Sequence, residues 1–110
     1  MEFQPIVCIL RYMSSEVITL TKDNLIDYLD AKDLIVMFSS ETCNACNVIK
    51  PYLKELPSGF KVVIVDCLRH LSSIRYFPGQ IKYYPTLALF TNGYFVEELT
   101  QNQIITKQIY

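Results

Sequence analysis

Two cysteines separated by two residues stand where the sequence changes character. Cys43 and Cys46 follow the apolar run 34–38 and open a segment with helical periodicity. A pair with this spacing can alternate between dithiol and disulfide, bind a metal, or pack as two small core residues. Positions i and i+3 of a helix face each other, so the two sulfurs lie within bonding distance.

The position of the pair at the start of the predicted helix sets its reactivity. Helix N-termini carry unpaired N–H groups and about half a positive charge, which stabilise a thiolate. We therefore predict that Cys43 is the exposed, attacking sulfur, its pKa lowered from ~8.5 into the range of roughly 3.5–7.5. Cys46, one turn into the helix and facing inward, would resolve the mixed disulfide that Cys43 forms with a substrate.

A structural zinc site is the sharper alternative to a redox pair. Cys67 and His70 extend the pattern to C-x2-C-x20-C-x2-H, which resembles a four-ligand site. Against zinc, metal ligands usually lie in turns, whereas Cys67 closes an apolar strand. Against two structural core cysteines, Cys43 lies among polar residues. The redox pair is favoured and the other two interpretations stay open. Outside a metal site, we expect Cys67 to be a buried small hydrophobe and His70 a surface helix residue.

Composition limits the class of protein. The chain has 110 residues, of which 51% are hydrophobic and 19% charged, so one compact domain is expected. A net charge of −1 with interspersed signs offers no footprint for nucleic acid or for a membrane surface, and no apolar run could span a bilayer. The N-terminus lacks the pattern of a secretion signal, and the cysteine usage favours a reducing cytoplasm. We expect a monomer.

The predicted elements follow the order β-α-β-α-β-α-β-β-α. Continuous apolar runs indicate strands buried on both faces, and Thr91-Asn92-Gly93 indicates a hairpin. This order predicts an α/β fold, a mixed sheet with parallel strands first, an antiparallel hairpin last and helices on both faces. The strands are predicted over 16–20, 34–38, 61–67, 86–90 and 94–99; the helices begin after Thr21, cover 46–56 and 68–77, and end with a short one capped by Asn102.

From about Met13 onward the chain resembles a thioredoxin. The cysteine pair follows an apolar strand, with Phe38 and Glu41 where thioredoxins commonly have Phe and Glu. Pro51, five residues after the second cysteine, matches the helix proline of the family. The segment IKYYPTLALFTNG (81–93) resembles the family's Ile-Arg-x-Ile-Pro-Thr segment with its strand and turn.

The resemblance implies a thioredoxin fold over 13–110 behind an N-terminal extension, 1–12, which contains Cys8. It implies a thiol–disulfide oxidoreductase that acts on protein disulfides and is recharged by a reductase or another dithiol, with no metal or organic cofactor. By the same resemblance, Pro85 would be a cis-proline beside the disulfide. Thr42, Tyr84 and Pro85 would contact the substrate, with the Tyr84 backbone as an edge for peptide pairing.

The chain also departs from the family. Thioredoxins usually have Trp before the first cysteine and Gly-Pro within the pair, where this chain has Thr42, Asn44 and Ala45. Met37 occupies the position of a buried aspartate that moves protons to and from the second cysteine, and Gln101 occupies that of a glycine. These departures support a second hypothesis, a redox-inactive, thioredoxin-like binding or accessory subunit.

Overall fold

The computed structural model describes residues 15–109, so the predicted extension 1–12 and Cys8 lie outside the described residues. One mixed sheet forms the centre of the described chain, in the strand order β1-β3-β2-β4-β5. The strands β1, β2 and β3 are parallel, while β4 runs antiparallel to β2 and β5 antiparallel to β4. This confirms the predicted mixed sheet. The strands are β1 (Glu16–Thr19), β2 (Asp33–Ser39), β3 (Lys61–Asp66), β4 (Thr86–Thr91) and β5 (Tyr94–Leu99).

The strands β2 and β3 carry unbroken apolar runs because they lie in the interior of a sheet that is covered on both faces. On one face lie the helices α1 (Asn44–Lys54) and α2 (Gln101–Thr106), which contribute Ile49, Leu53 and Ile104 to the core. Short 3-10 helices and loops cover the other face and pack against a second apolar cluster. Within residues 15–109, no helix has both the length and the apolar character needed to cross a bilayer.

The helix predicted after Thr21 is only a four-residue 3-10 helix, Leu25–Tyr28. Leu25 is buried, so the predicted apolar face does reach the core, but only over one turn. The Asp23 carboxylate accepts hydrogen bonds from the side chains of Ser72 and Ser73. A short helix is only marginally stable by itself. The Asp23 carboxylate, at the start of the predicted helix, is bound to Ser72 and Ser73 instead.

The helix predicted over 68–77 is also a 3-10 helix, Leu71–Tyr76, and His70 is its N-cap residue. His70 is 8% exposed, so the prediction of a surface histidine is wrong. The backbone N–H of His70 donates to the carbonyl of Asp66, which folds the loop back beneath β3. Burial follows from this turn, whose geometry depends on the strand before it.

The cap of α2 is Thr100 and not Asn102. The Thr100 side chain accepts a hydrogen bond from the backbone N–H of Gln103 at 3.1 Å, and the Gln103 side chain accepts one from the N–H of Thr100 at 2.8 Å. This reciprocal capping box satisfies two N–H groups that the helix itself leaves unpaired. Asn102 lies inside the helix and is exposed.

We expect Thr100→Ala to lower the free energy of unfolding by about 1 kcal/mol, because it removes the capping oxygen. Urea unfolding followed by far-ultraviolet circular dichroism measures the loss. Asn102→Ala is the matched control and should change stability by less than about 0.5 kcal/mol. An equal loss in both variants would contradict the assignment of the cap.

The topology brings five strand ends to one edge of the sheet. Because β4 opposes β2, the start of β4 lies at the carboxyl ends of the parallel strands, and β5 ends at that edge as well. The segments that leave this edge carry Cys43, Cys67, Pro85 and Gln101. Crevices at the carboxyl ends of parallel strands are the usual place for function in open α/β sheets.

Candidate functional site

Cys43 and Cys46 form a disulfide at the start of α1, with their Cα atoms 5.3 Å apart. Cys43 is the N-cap residue, and its sulfur accepts a hydrogen bond from the backbone N–H of Cys46 at 3.0 Å. The sulfur therefore occupies the place where a capping oxygen usually binds a free N–H group. A reduced Cys43 at this place has an N–H donor and the positive end of an 11-residue helix beside it.

The two sulfurs differ in their access to solvent. Cys43 is partly exposed, whereas Cys46 is 1% exposed and belongs to the core cluster beneath the helix. Only the first cysteine is open to a partner's disulfide, and the second can reach only the first. This asymmetry is the one that an attacking and a resolving thiol require.

The floor of the site beneath Cys46 is apolar. Met37, which by the sequence resemblance corresponds to the buried aspartate of thioredoxins, is completely buried in the same cluster as Cys46. Its register partners are Ile64 on β3 and Leu87 on β4, both buried and apolar. Among the described residues no aspartate or glutamate is buried, so no carboxylate buried beside Cys46 can take its proton.

The loop before β4 lies at the same edge of the sheet. The peptide bond between Tyr84 and Pro85 is cis. Pro85 is buried, Tyr84 is 37% exposed, and the Thr86 hydroxyl donates to the Tyr83 carbonyl at 2.6 Å. The loop is therefore anchored on its inner side by Pro85 and Thr86, while Tyr84 stays partly exposed.

Thr42 lies next to Cys43 in the turn before α1. It is exposed, and its hydroxyl is 3.5 Å from that of Ser40. This places Thr42 beside the exposed sulfur, on the side that faces solvent.

Cys67 is buried beneath the loop that carries Tyr84. Its thiol is 1% exposed and accepts a hydrogen bond from the Tyr84 hydroxyl. Burial raises the pKa of the Cys67 thiol, and the nearby Asp66 carboxylate adds to this effect. Burial likewise raises the pKa of the Tyr84 hydroxyl. Both groups therefore stay protonated at neutral pH.

We expect Cys67 to resist alkylation in the folded, reduced protein, because a buried thiol with a raised pKa has very little thiolate. Iodoacetamide at mildly alkaline pH should label Cys43 well before Cys67. Peptide mapping by mass spectrometry measures the two rates. Denaturation is the control and should bring Cys67 to the rate of an ordinary cysteine, whereas equal labelling in the folded state would contradict the burial.

The structure does not bring the four residues of the zinc pattern together. Cys46 packs in the cluster under α1, and Cys67 packs in the cluster on the opposite face of the sheet. Cys43 and Cys46 are bonded to each other. Within the described part of the chain, no group of three or more His, Cys, Asp or Glu residues is arranged to hold a metal ion.

An ion pair beside the disulfide was not visible in the sequence. Arg69, in the loop after β3, lies 2.5 Å from the carboxylate of Glu41, in the turn before Cys43. Arg69 also lies 3.8 Å from Asp66. All three residues help to line an open cavity of about 260 Å³. Their proximity depends on the adjacency of β2 and β3, which no local pattern reveals.

A second open cavity, of about 430 Å³, lies on the other side of the site. It is lined by residues from the loop before β4 and from the end of β5 through the start of α2: Tyr83, Pro85, Glu98, Leu99, Thr100 and Gln101. We call this cavity the Glu98 groove. The Tyr83 hydroxyl donates a hydrogen bond to the Glu98 carboxylate, which raises the pKa of Tyr83. Glu98 stood among unremarkable strand residues in the sequence and was missed.

The chain resembles known proteins both in sequence and in fold. A family model described as Thioredoxin matches residues 16–109. No curated protein sequence matches the chain significantly. Among solved structures, the reduced thioredoxin pre-protein of Schistosoma mansoni is 26% identical, with a TM-score of 0.68 over 86% of this chain and 100% of that chain.

More distant structures share the fold. A thioredoxin from Nicotiana alata is 19% identical, with a TM-score of 0.71 over 86% of this chain and 90% of that one. A mutant thioredoxin from Halobacterium salinarum is 20% identical, with a TM-score of 0.67 over 84% of this chain and 87% of that one.

Proposed function

The chain belongs to the thioredoxin family, and from that premise we propose that it is a thiol–disulfide oxidoreductase acting on protein disulfides. A thioredoxin domain with Cys43 and Cys46 at C-x-x-C spacing supports a redox function. The observation that carries the finer proposal is the difference between the two sulfurs. The capping sulfur of Cys43 is open to solvent, and its partner Cys46 is buried directly behind it.

The proposed reaction begins from the reduced protein. The Cys43 thiolate attacks one sulfur of a substrate disulfide, forms a mixed disulfide, and releases the other substrate sulfur as a thiolate that takes up a proton. Cys46 then loses its proton and attacks Cys43, which forms the Cys43–Cys46 disulfide and releases the second substrate thiol. Two electrons pass from the protein to the substrate. A dithiol or a reductase returns them, so the chemistry needs no metal or organic cofactor.

Substrate recognition in this proposal falls to three residues around the exposed sulfur. The backbone of Tyr84, held outward by the buried Pro85, offers an edge with which an extended peptide can pair. Thr42 flanks Cys43 from the solvent side and contacts the chain that carries the substrate disulfide. Main-chain pairing of this kind accepts many sequences, which suits a general protein reductant.

We further propose that the protein works as a monomer in the cytoplasm and carries electrons from a reductase or small dithiol to protein disulfides. Cys67 supports a reducing compartment, because it is a free, buried thiol in a fold that uses no second disulfide among the described residues.

The experiment that tests the proposal is the reduction of insulin by dithiothreitol, followed as turbidity when the freed chains precipitate. The wild-type chain should accelerate the reaction in proportion to its concentration. Carboxymethylation of the reduced protein is the control and should remove the acceleration.

The apolar floor under Cys46 favours the accessory subunit as the second candidate function, because a binding protein needs no base for a resolving thiol. An absence of turnover by a folded chain that still forms its disulfide would support that candidate instead.

A further inference from the structure

The Glu98 groove lies at the same edge of the sheet as Cys43. Pro85 forms one wall, and the strand that it precedes pairs with β2, whose end leads to Cys43. Leu99 forms the floor and belongs to the same core cluster as Cys46. The groove volume of about 430 Å³ exceeds the lower limit of roughly 300 Å³ for typical ligand pockets.

The charge of the groove has one sign. Of the described residues that line the groove, Glu98 alone has a formal charge, and its carboxylate accepts a hydrogen bond from the Tyr83 hydroxyl. Tyr83 stays protonated while it donates this hydrogen bond. Glu98 and Tyr83 also line the neighbouring cavity of about 350 Å³, where Lys82 is the residue of opposite charge, but Lys82 is not among the residues of the groove. Glu97, next to Glu98 on β5, is exposed and is not among the residues that line the groove.

We propose that the Glu98 groove selects protein disulfides whose reactive cysteine is flanked by a lysine or arginine. This inference rests on the proposed function and adds a substrate class to it. A flanking ammonium or guanidinium group would lie near the Glu98 carboxylate, and its apolar stem would cover Leu99 and Pro85. The remaining walls, Thr100 and Gln101, supply neutral polar groups and no competing charge.

An acidic flank is disfavoured by the same geometry. It would place two carboxylates in one groove, and Tyr83, already donating to Glu98, does not separate them. An uncharged flank would neither gain nor lose electrostatically. The expected order of preference is therefore basic, neutral, acidic.

Three symmetrical peptide disulfides test this order. They share one sequence and differ only at the two residues that flank the cysteine, which are both Lys, both Gln or both Glu. A flanking charge also alters the reactivity of the peptide's own cysteine. The readout is therefore the change between protein variants in the ratio of kcat/KM for the Lys peptide to that for the Glu peptide. Dithiothreitol recharges the protein in every assay.

We expect Glu98→Gln to lower this ratio about two- to fivefold relative to the wild-type chain, as for the loss of one surface ion pair. Glu98→Lys should lower it further. The matched control is Glu97→Gln, which removes the same charge from the adjacent residue, outside the lining of the groove, and should leave the ratio unchanged. In the wild-type chain the ratio should also fall as salt is raised, because exposed charges are screened.

The possible outcomes distinguish a failure of the charge preference from a failure of the proposed oxidoreductase function. If the wild-type chain reduces the peptides and Glu98→Gln leaves the ratio unchanged, the inference is wrong and the proposed function stands. If Glu97→Gln lowers the ratio as much as Glu98→Gln does, the effect is one of net charge and the groove has no part in it. If the folded wild-type chain reduces none of the peptides, the proposed function fails and the inference fails with it.

Discussion

Cys43→Ser is expected to reduce the catalysed reduction of protein disulfides to the background rate of dithiothreitol alone. A serine hydroxyl is far less acidic than a thiol, so it provides no anion to attack sulfur, and it cannot form a disulfide. The serine oxygen can still cap α1, since Ser is a preferred N-cap residue. Relative to the reduced wild-type protein, stability should therefore change little while activity disappears, and insulin reduction together with urea unfolding in dithiothreitol measures both.

Cys46→Ser separates the two steps of the reaction. It leaves the exposed sulfur intact and removes the thiol that resolves the mixed disulfide, so covalent complexes with substrate should accumulate. Non-reducing electrophoresis and mass spectrometry detect these complexes, which should vanish on addition of excess dithiothreitol. Cys67→Ala is the matched control, because it removes a buried thiol from the opposite face of the sheet, and it should trap nothing.

The reverse result would change the assignment. If Cys43→Ser kept its activity, or if Cys46→Ser trapped no substrate, the pair would not perform the proposed exchange. The chain would then be better described as the accessory subunit, with a structural disulfide at the start of α1.

Met37→Asp is expected to accelerate the resolving step by at least about tenfold at neutral pH. General bases contribute roughly 10²- to 10⁴-fold where they are well placed, and no buried aspartate or glutamate exists in the described part of the chain. Met37 is fully buried in the same cluster as Cys46, so an aspartate there could accept its proton directly or through a water molecule.

The resolving step can be followed with dithiobis(nitrobenzoate). Cys43 attacks this reagent and releases one coloured thionitrobenzoate, and Cys46 then releases the second when it closes the protein disulfide. The second phase, measured by stopped flow, reports resolution alone. Met37→Asn is the matched control, because its side chain has nearly the shape of aspartate and no basic group. A second phase that is equally fast in both variants would contradict a missing base.

The same substitution carries a cost in stability with a defined pH dependence. A carboxyl in this apolar cluster has its folded-state pKa raised above about 3.9, because burial disfavours the charged form. Stability is then highest when the group is protonated in both states, and it falls as the pH rises through the folded pKa. The loss should reach several kcal/mol. Met37→Leu conserves the volume and should cost less than about 1.5 kcal/mol at every pH.

Several features could be predicted from the sequence because they depend on neighbouring residues. The apolar runs of β2 and β3 indicate buried strands wherever they lie in a sheet. The spacing of Cys43 and Cys46 brings two sulfurs together on any helix. The position of Cys43 before a helical segment determines that its sulfur meets free N–H groups. Each of these follows from backbone geometry over a few residues, so one sequence suffices.

The wrong predictions share a different physical origin. The helix expected after Thr21 is reduced to one 3-10 turn where Asp23 binds Ser72 and Ser73, about fifty residues away. His70 looked like a surface residue, and it is buried because the loop after β3 folds back. The cap of α2 was displaced from Asn102 to Thr100 by the point at which β5 ends.

Local patterns were enough to predict a mixed α/β domain with two neighbouring cysteines at the start of a helix. Local hydrogen bonding and side-chain periodicity suffice for that. Only the tertiary structure decided what surrounds the pair: the Arg69–Glu41 ion pair, the apolar core that contains Met37, and the Glu98 groove. These features form where strand ends that are distant in the chain meet at one edge of the sheet. Such contacts depend on long-range strand pairing and packing, which the order of neighbouring residues does not reveal.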